Sequence, residues 1–242
     1  MSNPIYVPKG AAKEYGDFAL NIYTGCPHAC YYCFAPNVLR RDREIFHTDV
    51  RPRDDIVSMV KNQLHFHQIK GKTIHLCFTC DPYPRGYDTS VTRTIIEAIK
   101  NSGNHVQILT KSDEIRDLNL LDENDWYGVS YAGYSDGVLY PSTSEPYAAA
   151  PIDRLIALEH AHNSGVKTWV SMEPVLDAGD VLHLLDSAPS YIDRYKIGKL
   201  NYHPSSIDWK AFGLEAERIC KEKGLDYYIK DALRKEMEKV TV

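Results

Sequence analysis

The sequence has no run of eighteen apolar residues, about the shortest length for a helix that crosses a bilayer. Its first ten residues also lack the charged and apolar regions of a secretory signal peptide. Acidic residues outnumber lysine and arginine by 33 to 28, which gives a formal net charge of −5, and there is no basic tail. We therefore expect a cytoplasmic protein that makes no membrane contact and keeps its thiols reduced. Nucleic acid is not excluded as a partner, because a local basic groove can exist on an acidic protein.

The length of the chain suits one domain. Its 242 residues, 43% of them hydrophobic, can bury one sizeable core, and single α/β barrels commonly have this length. We predict a monomer with one domain over residues 1–242. Its core would run from about residue 16 to 200, followed by a C-terminal extension from about 201 to 242.

Short β-like runs alternate with amphipathic helical stretches along the chain, a pattern typical of parallel sheets built from βαβ units. Six core strands are predicted, at residues 18–24, 73–79, 105–110, 126–131, 167–172 and 191–197. Helices are predicted between them, including one over 113–121, and the tail is predicted to add a short strand at 226–229 between two helices. The longest irregular connection, 132–149, is a candidate lid over a ligand.

Three of the six cysteines lie in one loop with the spacing Cys-x-x-x-Cys-x-x-Cys, as Cys26, Cys30 and Cys33. Three thiolates at this spacing can hold three irons of a cubane cluster and leave the fourth iron open. A structural zinc or an electron-transfer cluster normally has four protein ligands, whereas an open metal position suits the activation of a small molecule. The motif therefore predicts an enzyme.

Two other interpretations of this loop stay open. A zinc site could take His28 as its fourth ligand, because histidine is a common zinc ligand. The loop could also hold a cluster in a redox or sensor protein, with a fourth protein ligand on the last iron. Neither alternative activates a small molecule.

Tyr32 places an aromatic residue directly before the last cysteine, in the run Gly25-Cys26-Pro27-His28-Ala29-Cys30-Tyr31-Tyr32-Cys33. This arrangement resembles the defining motif of the radical S-adenosylmethionine (SAM) superfamily. The resemblance implies an α/β fold, a partial (β/α)6 barrel of the TIM type with a C-terminal helical extension. It also implies a [4Fe-4S] cluster on Cys26, Cys30 and Cys33 whose open iron chelates SAM. One electron then cleaves SAM to methionine and a 5′-deoxyadenosyl radical.

Two further segments resemble spore photoproduct lyase and its relatives: Phe78-Thr79-Cys80-Asp81-Pro82-Tyr83 and Leu109-Thr110-Lys111-Ser112. The resemblance implies that Thr79 and Asp81 hold the SAM amino group and that Lys111 binds its carboxylate. These residue types suit the roles, because an ammonium needs an anionic or hydroxyl acceptor and a carboxylate needs a cation. The predicted cofactor-binding residues are Tyr32, Thr79, Cys80, Asp81, Lys111, Ser130 and Glu145, the last two as contacts of the ribose or the substrate.

A hydrogen donor to the substrate radical is a further expectation. Spore photoproduct lyase uses a cysteine in the second-strand segment, where Phe78 aligns here and Cys80 stands at the position of a serine. The candidate catalytic residues are Cys80, Tyr83 and Tyr131. Strand alternation predicts that Cys77 and Cys80 face opposite sides, which argues against a metal pair. Candidates for contact with an anionic substrate are Arg85, Arg154, Lys196, Lys199 and Tyr202.

As a whole, the resemblance implies a radical SAM enzyme, either a lyase or a hydrogen-abstracting transferase or oxidoreductase. Its electron donor would be a flavodoxin or a ferredoxin. The substrate is unidentified, and the resemblance favours a nucleotide or a nucleic-acid lesion. No second set of cysteines suggests an auxiliary cluster, which makes peptide maturation a weaker interpretation.

Overall fold

Seven parallel strands form one sheet in a computed structural model that describes residues 3–67, 69–133 and 144–239. In chain order the strands are β1 Phe18–Leu20, β2 Thr73–Leu76, β3 His105–Thr110, β4 Trp126–Ser130, β5 Lys167–Met172, β6 Arg194–Ile197 and β7 Tyr227–Ile229. Each strand pairs with the next one along the chain, and the sheet curls into a half-barrel. The predicted α/β partial barrel is confirmed.

Helices lie in most of the connections between these strands. They are α1 Ala35–Leu39, α2 Arg43–Thr48, α3 Ile56–Phe66, α4 Ser90–Asn101, α5 Pro151–Asn163, α6 Ala178–Ser187, α7 Trp209–Lys223 and α8 Asp231–Met237. Helix α4 buries Thr92, Ile95, Ile96 and Ile99, whose spacing of three and four residues makes one apolar face. No helix in the described ranges combines the length and the apolar character that a bilayer crossing requires.

Aromatic side chains fill the inside of the half-barrel. The Trp169 indole crosses towards β3 and β4, where its Nε1 donates to the Ile108 carbonyl at 3.0 Å. A Cβ atom at Gly128 would lie only 2.1 Å from that nitrogen, so glycine leaves the space that the indole occupies. Tyr15 packs its ring edge against Trp169 and Phe78, at centroid distances of 5.9 and 5.4 Å. The interior is therefore a packed core below the mouth of the barrel.

Several parts of the chain differ from the sequence-based expectations. Strand β1 ends at Leu20 instead of residue 24, and β6 begins at Arg194 instead of residue 191. Strand β2 stops at Leu76 instead of residue 79, because the amides of Phe78 and Thr79 both donate to Asn21 Oδ1 at 2.8 Å. The helix predicted over 113–121 is only a 3-10 turn at Leu118–Leu120. Helices α1 and α2 were not predicted, since they are five and six residues long. The segment after residue 201 contributes β7, which continues the sheet.

Candidate functional site

The three motif cysteines lie in the loop between β1 and α1, at the carboxyl end of the sheet. Helix α2 packs against the start of this loop: Cys26 N donates to the Phe46 carbonyl at 3.2 Å. A Cβ atom at Gly25 would come within 2.1 Å of that carbonyl, so the close approach requires glycine. His47 Nδ1 lies 2.7 Å from the Cys26 carbonyl, which can only accept, so this nitrogen carries the proton. The loop is thus fixed from outside.

Burial raises the pKa of all three thiols in the loop, that of Cys30 to about 12. A thiol in such surroundings becomes a thiolate when a metal supplies the compensating positive charge. All three are free of disulfides. This donor set fits an iron–sulfur cluster with three protein ligands.

His28 does not provide a fourth ligand in this structure. Its Nε2 accepts a hydrogen bond from the Arg85 amide at 3.3 Å, and its Nδ1 lies 3.5 Å from the Asp81 carboxylate. Burial lowers the pKa of His28. Both ring nitrogens are therefore engaged away from the cysteines, which argues against the zinc interpretation.

Asp81 links the end of β2 to the end of β3. Its Oδ1 accepts from the Thr110 hydroxyl at 2.6 Å and from the Tyr83 amide at 2.8 Å, and its Oδ2 accepts from the Lys111 amide at 2.8 Å. The carboxylate is buried and largely committed to these partners. Thr79 differs: its hydroxyl is buried and takes no hydrogen bond within the described part of the chain. Thr79 is the better placed of the two to receive a ligand.

Lys111 carries a cationic group beside the cysteine loop. Its ammonium lies over the Tyr32 ring, 5.6 Å from the centroid, and takes no ion pair among the described residues. Burial alone would lower the pKa of Lys111, but the neighbouring Cys30 and Glu145 raise it. A carboxylate of a ligand would find an available cation here.

Glu145 and Arg154 form a buried network behind Tyr32. The Tyr32 hydroxyl and the Arg154 guanidinium both donate to the Glu145 carboxylate. Arg154 also donates to the carbonyls of Ala149 and Ser130, each at 2.9 Å. Burial alone would raise the pKa of Glu145, but Arg154 and Lys111 hold it below its usual range. Glu145 and Ser130 were predicted as contacts of the ribose or the substrate. In this structure Glu145 holds the Tyr32 hydroxyl, and Ser130 joins the network through its carbonyl.

The connection predicted as a lid, residues 132–149, is described at its two ends, 132–133 and 144–149. There Ser144 accepts from the Tyr31 amide at 3.1 Å, and the Ala149 amide donates to the Lys111 carbonyl at 2.8 Å. This end of the connection is bound to the cysteine loop and to the end of β3. Residues 134–143 lie outside the described part of the chain, and the prediction of a lid there stays untested.

Cys77 and Cys80 lie side by side, so the prediction that strand alternation separates them is wrong. The two thiols share a hydrogen bond, and Cys80 Sγ also accepts from the Tyr23 amide at 3.4 Å. Alternation does not apply, because β2 has already ended at Leu76. Burial alone would raise the pKa of Cys80, but the hydrogen bonds from Cys77 and Tyr23 lower it. The pair lies next to the backbone that follows β1.

The two candidate catalytic tyrosines have their hydroxyl groups bound to carboxylates. The Tyr131 hydroxyl donates to Asp180 in α6 at 2.8 Å, and the Tyr83 hydroxyl is hydrogen-bonded to Asp117. Both side chains are buried. Burial raises the pKa of Tyr83 well above its usual value.

The residues expected to contact an anionic substrate have other partners, apart from Tyr202, which is 93% exposed. Arg154 is fully buried against Glu145, and Lys199 is paired with Glu236. Lys196 donates to the Glu14 carbonyl at 2.8 Å, and burial lowers its pKa to about 8. The expectation is wrong for Arg154, which no substrate can reach in this structure.

A polar group at the ends of β5 and β7 contains a residue, Lys230, that was not predicted from the sequence. Lys230 follows β7 and pairs with Glu173, which follows β5, and it also donates to the Tyr15 hydroxyl at 3.0 Å. Asn201 Nδ2 donates to Glu173 Oε1 at 3.0 Å. The position of Lys230 directly after a predicted strand was the available signal. This group and the cysteine loop lie at the same end of the sheet, because both follow the carboxyl ends of parallel strands.

Comparison with known proteins agrees with this geometry. The sequence is 27% identical to an uncharacterised protein of Methanocaldococcus jannaschii over 84% of this chain and 75% of that protein. It is 31% identical to an uncharacterised protein of Acidianus two-tailed virus, over 71% of this chain but only 60% of the viral one. A mutant of spore photoproduct lyase shares the fold with a TM-score of 0.70, at 13% identity, over 93% of this chain and 79% of that enzyme.

The family itself is shown by a sequence model. The model of the radical SAM superfamily matches residues 20–183, which include the cysteine loop, Thr79, Asp81 and Lys111. That family uses a [4Fe-4S] cluster and SAM. This chain belongs to the radical SAM superfamily.

Proposed function

We propose that this chain is an enzyme that abstracts a hydrogen atom from a nucleotide-containing substrate. Membership of the radical SAM superfamily supports radical chemistry with SAM. When bound, the cluster and SAM supply the reductive cleavage of SAM to methionine and a 5′-deoxyadenosyl radical. The assignment of a nucleotide as the substrate class rests on the likeness in fold to a spore photoproduct lyase that is complexed with a dinucleoside spore photoproduct.

The observation that carries the proposal is a pair of available polar groups at the ends of β2 and β3, at the same end of the sheet as the three thiols. The Thr79 hydroxyl has no partner in the described ranges, and the Lys111 ammonium has no ion pair there. A hydroxyl can accept from the SAM ammonium, while an ammonium can bind the SAM carboxylate. We assign these roles to Thr79 and Lys111, with Asp81 holding the Lys111 backbone in place.

The other residues of the site would hold the cluster or support the groups that bind SAM. Cys26, Cys30 and Cys33 would hold the cluster. Tyr32 packs beneath the Lys111 ammonium, and Glu145 fixes the Tyr32 hydroxyl. Cys80 stays a candidate hydrogen donor, although its thiol is bound by the Tyr23 amide. A closed, dry site is needed because water and other donors would intercept a radical.

The test is product formation by the anaerobically reconstituted protein with dithionite and SAM. We expect 5′-deoxyadenosine by chromatography, its loss in Cys33→Ala, and parent levels in Cys220→Ala, whose cysteine is buried in α7. Lys111→Ala should weaken SAM binding by about tenfold or more in calorimetry, and Lys111→Arg by less. A fully loaded cluster that yields no 5′-deoxyadenosine would overturn the proposal.

The substrate class has its own test. Deuterated nucleosides, dinucleotides and short oligonucleotides are offered separately, and the 5′-deoxyadenosine is analysed by mass spectrometry. Deuterium from a nucleotide should enter the product. Transfer from a peptide substrate instead would contradict the nucleotide assignment and leave the radical chemistry intact.

A further inference from the structure

Two cysteines outside the cluster motif, Cys77 and Cys80, follow β2 directly with the spacing Cys-x-x-Cys. This spacing is typical of proteins that cycle between a dithiol and a disulfide. In a reducing compartment such disulfides are transient, and they catalyse or sense redox changes. Both thiols are free in this structure. The proposed radical chemistry gives no role to Cys77.

The chain bends after β2 and brings the two thiols together. Residues 78–80 form the bend, and Asn21 Oδ1 holds it by accepting from the amides of Phe78 and Thr79 at 2.8 Å. Cys77 and Cys80 share a hydrogen bond across the bend. Two thiols in such contact need only a local movement to reach the disulfide bond length of about 2.05 Å.

The two thiols differ in their access to solvent. Cys77 is buried, whereas Cys80 is partly exposed. Burial alone would raise the pKa of Cys80, but the hydrogen bonds from Cys77 and from the Tyr23 amide, which lies 3.4 Å from Cys80 Sγ, lower it. The thiolate is the form that attacks a disulfide. Cys80 is therefore the thiol that a reagent meets first, and Cys77 is placed to complete the exchange.

Thr79 lies between the two cysteines. Its hydroxyl is buried and takes no hydrogen bond within the described part of the chain, and it is the group assigned above to the SAM ammonium. Formation of a disulfide would draw Cys80 Sγ away from the Tyr23 amide and tighten the bend. Because Thr79 is part of that bend, its hydroxyl would turn away from the direction that suits the ammonium.

We propose that Cys77 and Cys80 are a redox-active dithiol, and that its oxidation to a disulfide removes Thr79 from its SAM-binding position. The inference rests on the proposed function for the role of Thr79. SAM would then bind well only while the pair is reduced.

The oxidant in this step is a low-molecular-weight disulfide. The Cys80 thiolate attacks one of its sulfurs, the S–S bond of the reagent breaks, and the first thiol leaves. The Cys77 sulfur then attacks Cys80 Sγ and releases the second thiol. The protein is oxidised by two electrons and loses two protons, and the two released thiols carry both.

The experiment treats the cluster-loaded enzyme with oxidised lipoic acid in the absence of oxygen. This reagent is a cyclic disulfide, so its mixed disulfide reverses unless a second protein thiol completes the exchange. Alkylation and mass spectrometry then follow the peptide of residues 73–85, which contains both cysteines. Calorimetry measures SAM affinity before oxidation, after it, and after reduction with dithiothreitol, and the iron content of each sample is checked.

Two variants accompany the parent. Cys77→Ala removes the thiol that completes the exchange, and Cys220→Ala is the matched control, because Cys220 is buried in α7. In the oxidised parent, the peptide should resist alkylation and lose the mass of two hydrogen atoms. SAM affinity should fall by about tenfold or more and return on reduction. Cys220→Ala should behave like the parent, whereas Cys77→Ala should keep the affinity of the reduced parent throughout.

The linkage also works in the other direction. If the disulfide weakens SAM binding, bound SAM must oppose the disulfide to the same extent. Saturating SAM should therefore shift the parent towards the dithiol at a fixed ratio of oxidised to reduced lipoic acid. An equilibrium that SAM does not shift would overturn the link to SAM binding.

Other outcomes are equally decisive. Two free thiols in the treated parent would overturn the dithiol, and a disulfide with unchanged SAM affinity would overturn its effect on Thr79. Loss of affinity in treated Cys77→Ala would do the same, because the effect would then arise elsewhere. If Cys77→Ala does not fold, Cys77→Ser replaces it. If the reduced parent binds no SAM, the proposed function fails, while the peptide mapping still shows whether the pair forms a disulfide.

Discussion

Arg154 and Glu145 form an ion pair that is closed off from water, and through it three separate segments of the chain are joined. The Glu145 carboxylate accepts a hydrogen bond from the Tyr32 hydroxyl in the cysteine loop, while Arg154 donates to the Ser130 carbonyl at the end of β4. The pair therefore positions the aromatic residue of the motif.

Removing Arg154 should destabilise the fold strongly. In Arg154→Ala the Glu145 carboxylate stays buried without its cation, and breaking a buried pair in this way costs about 3–5 kcal/mol. Denaturant unfolding of the parent and the variant measures the difference. Arg218→Ala is the matched control, because Arg218 pairs with Glu215 and Glu222 on the exposed face of α7 and its loss should change little. Equal costs for the two variants would contradict the structural role of Arg154.

The same pair predicts a pH dependence of stability. Because Arg154 and Lys111 hold the pKa of Glu145 below its usual value of 4.5, ionised Glu145 stabilises the fold above that value. This contribution is lost as the pH falls through the lower folded-state pKa. The free-energy gap between the parent and Glu145→Gln should therefore be largest near neutral pH and narrow towards about pH 3. A gap that does not change over this range would refute the assignment.

Asp81→Asn should weaken SAM binding while leaving cluster assembly intact. The carboxylate accepts three hydrogen bonds, and two of them, from Thr110 and Lys111, fix the start of the Lys111 segment. The amide of asparagine turns one acceptor into a donor. We expect a loss of SAM affinity of about tenfold or more in calorimetry, with unchanged iron content. Parent-like affinity in Asp81→Asn would show that the segment is held by other contacts.

Cys80 should be the most reactive thiol outside the cluster. Hydrogen bonds hold the pKa of Cys80 below the usual value of a cysteine. Burial raises the pKa of Cys220 to about 12 and raises that of Cys77 well above the usual value. Because the thiolate is the nucleophile, alkylation near pH 8 should modify Cys80 about a hundredfold faster than Cys220. Time-resolved peptide mapping of the cluster-loaded protein gives the rates, and fragment ions separate Cys77 from Cys80 in the peptide of residues 73–85. Faster modification of Cys77 would reverse the interpretation of this pair.

Gly128→Ala and Gly179→Ala should change stability in opposite directions. A methyl group at Gly128 would overlap the Trp169 indole, and overpacking of this kind costs about 1–3 kcal/mol. At Gly179 in α6 the nearest atom lies 3.4 Å away, and alanine favours a helix by about 0.5–1 kcal/mol relative to glycine. Thermal unfolding of both variants checks the signs.

The alternation of strands and helices could be predicted from the sequence, because each core strand is a short apolar run followed by a turn residue. The cluster ligands could be predicted for a different reason, because the spacing of the three cysteines directly indicates what they bind. Long-range side-chain contacts could not be predicted. Asn21 ends β2 from 57 residues away, and Arg154 meets Glu145 only because α5 folds back over the loop. The partners of a buried polar group depend on tertiary contacts, which local patterns do not contain.

Residues near the start of the chain contact both edges of the sheet, at β1 and just after β7. Tyr6 bridges to Ala19 in β1, while Glu14 receives the Asp231 amide at 2.8 Å and lies 3.4 Å from the Lys230 ammonium beyond β7. The segment between them thus works as a strap across the open side of the half-barrel. If a protease cut this segment after Lys9 or Lys13, the edge strands β1 and β7 would no longer be connected through it. The curvature of the sheet, which brings the ligand-binding residues together, would lose this support.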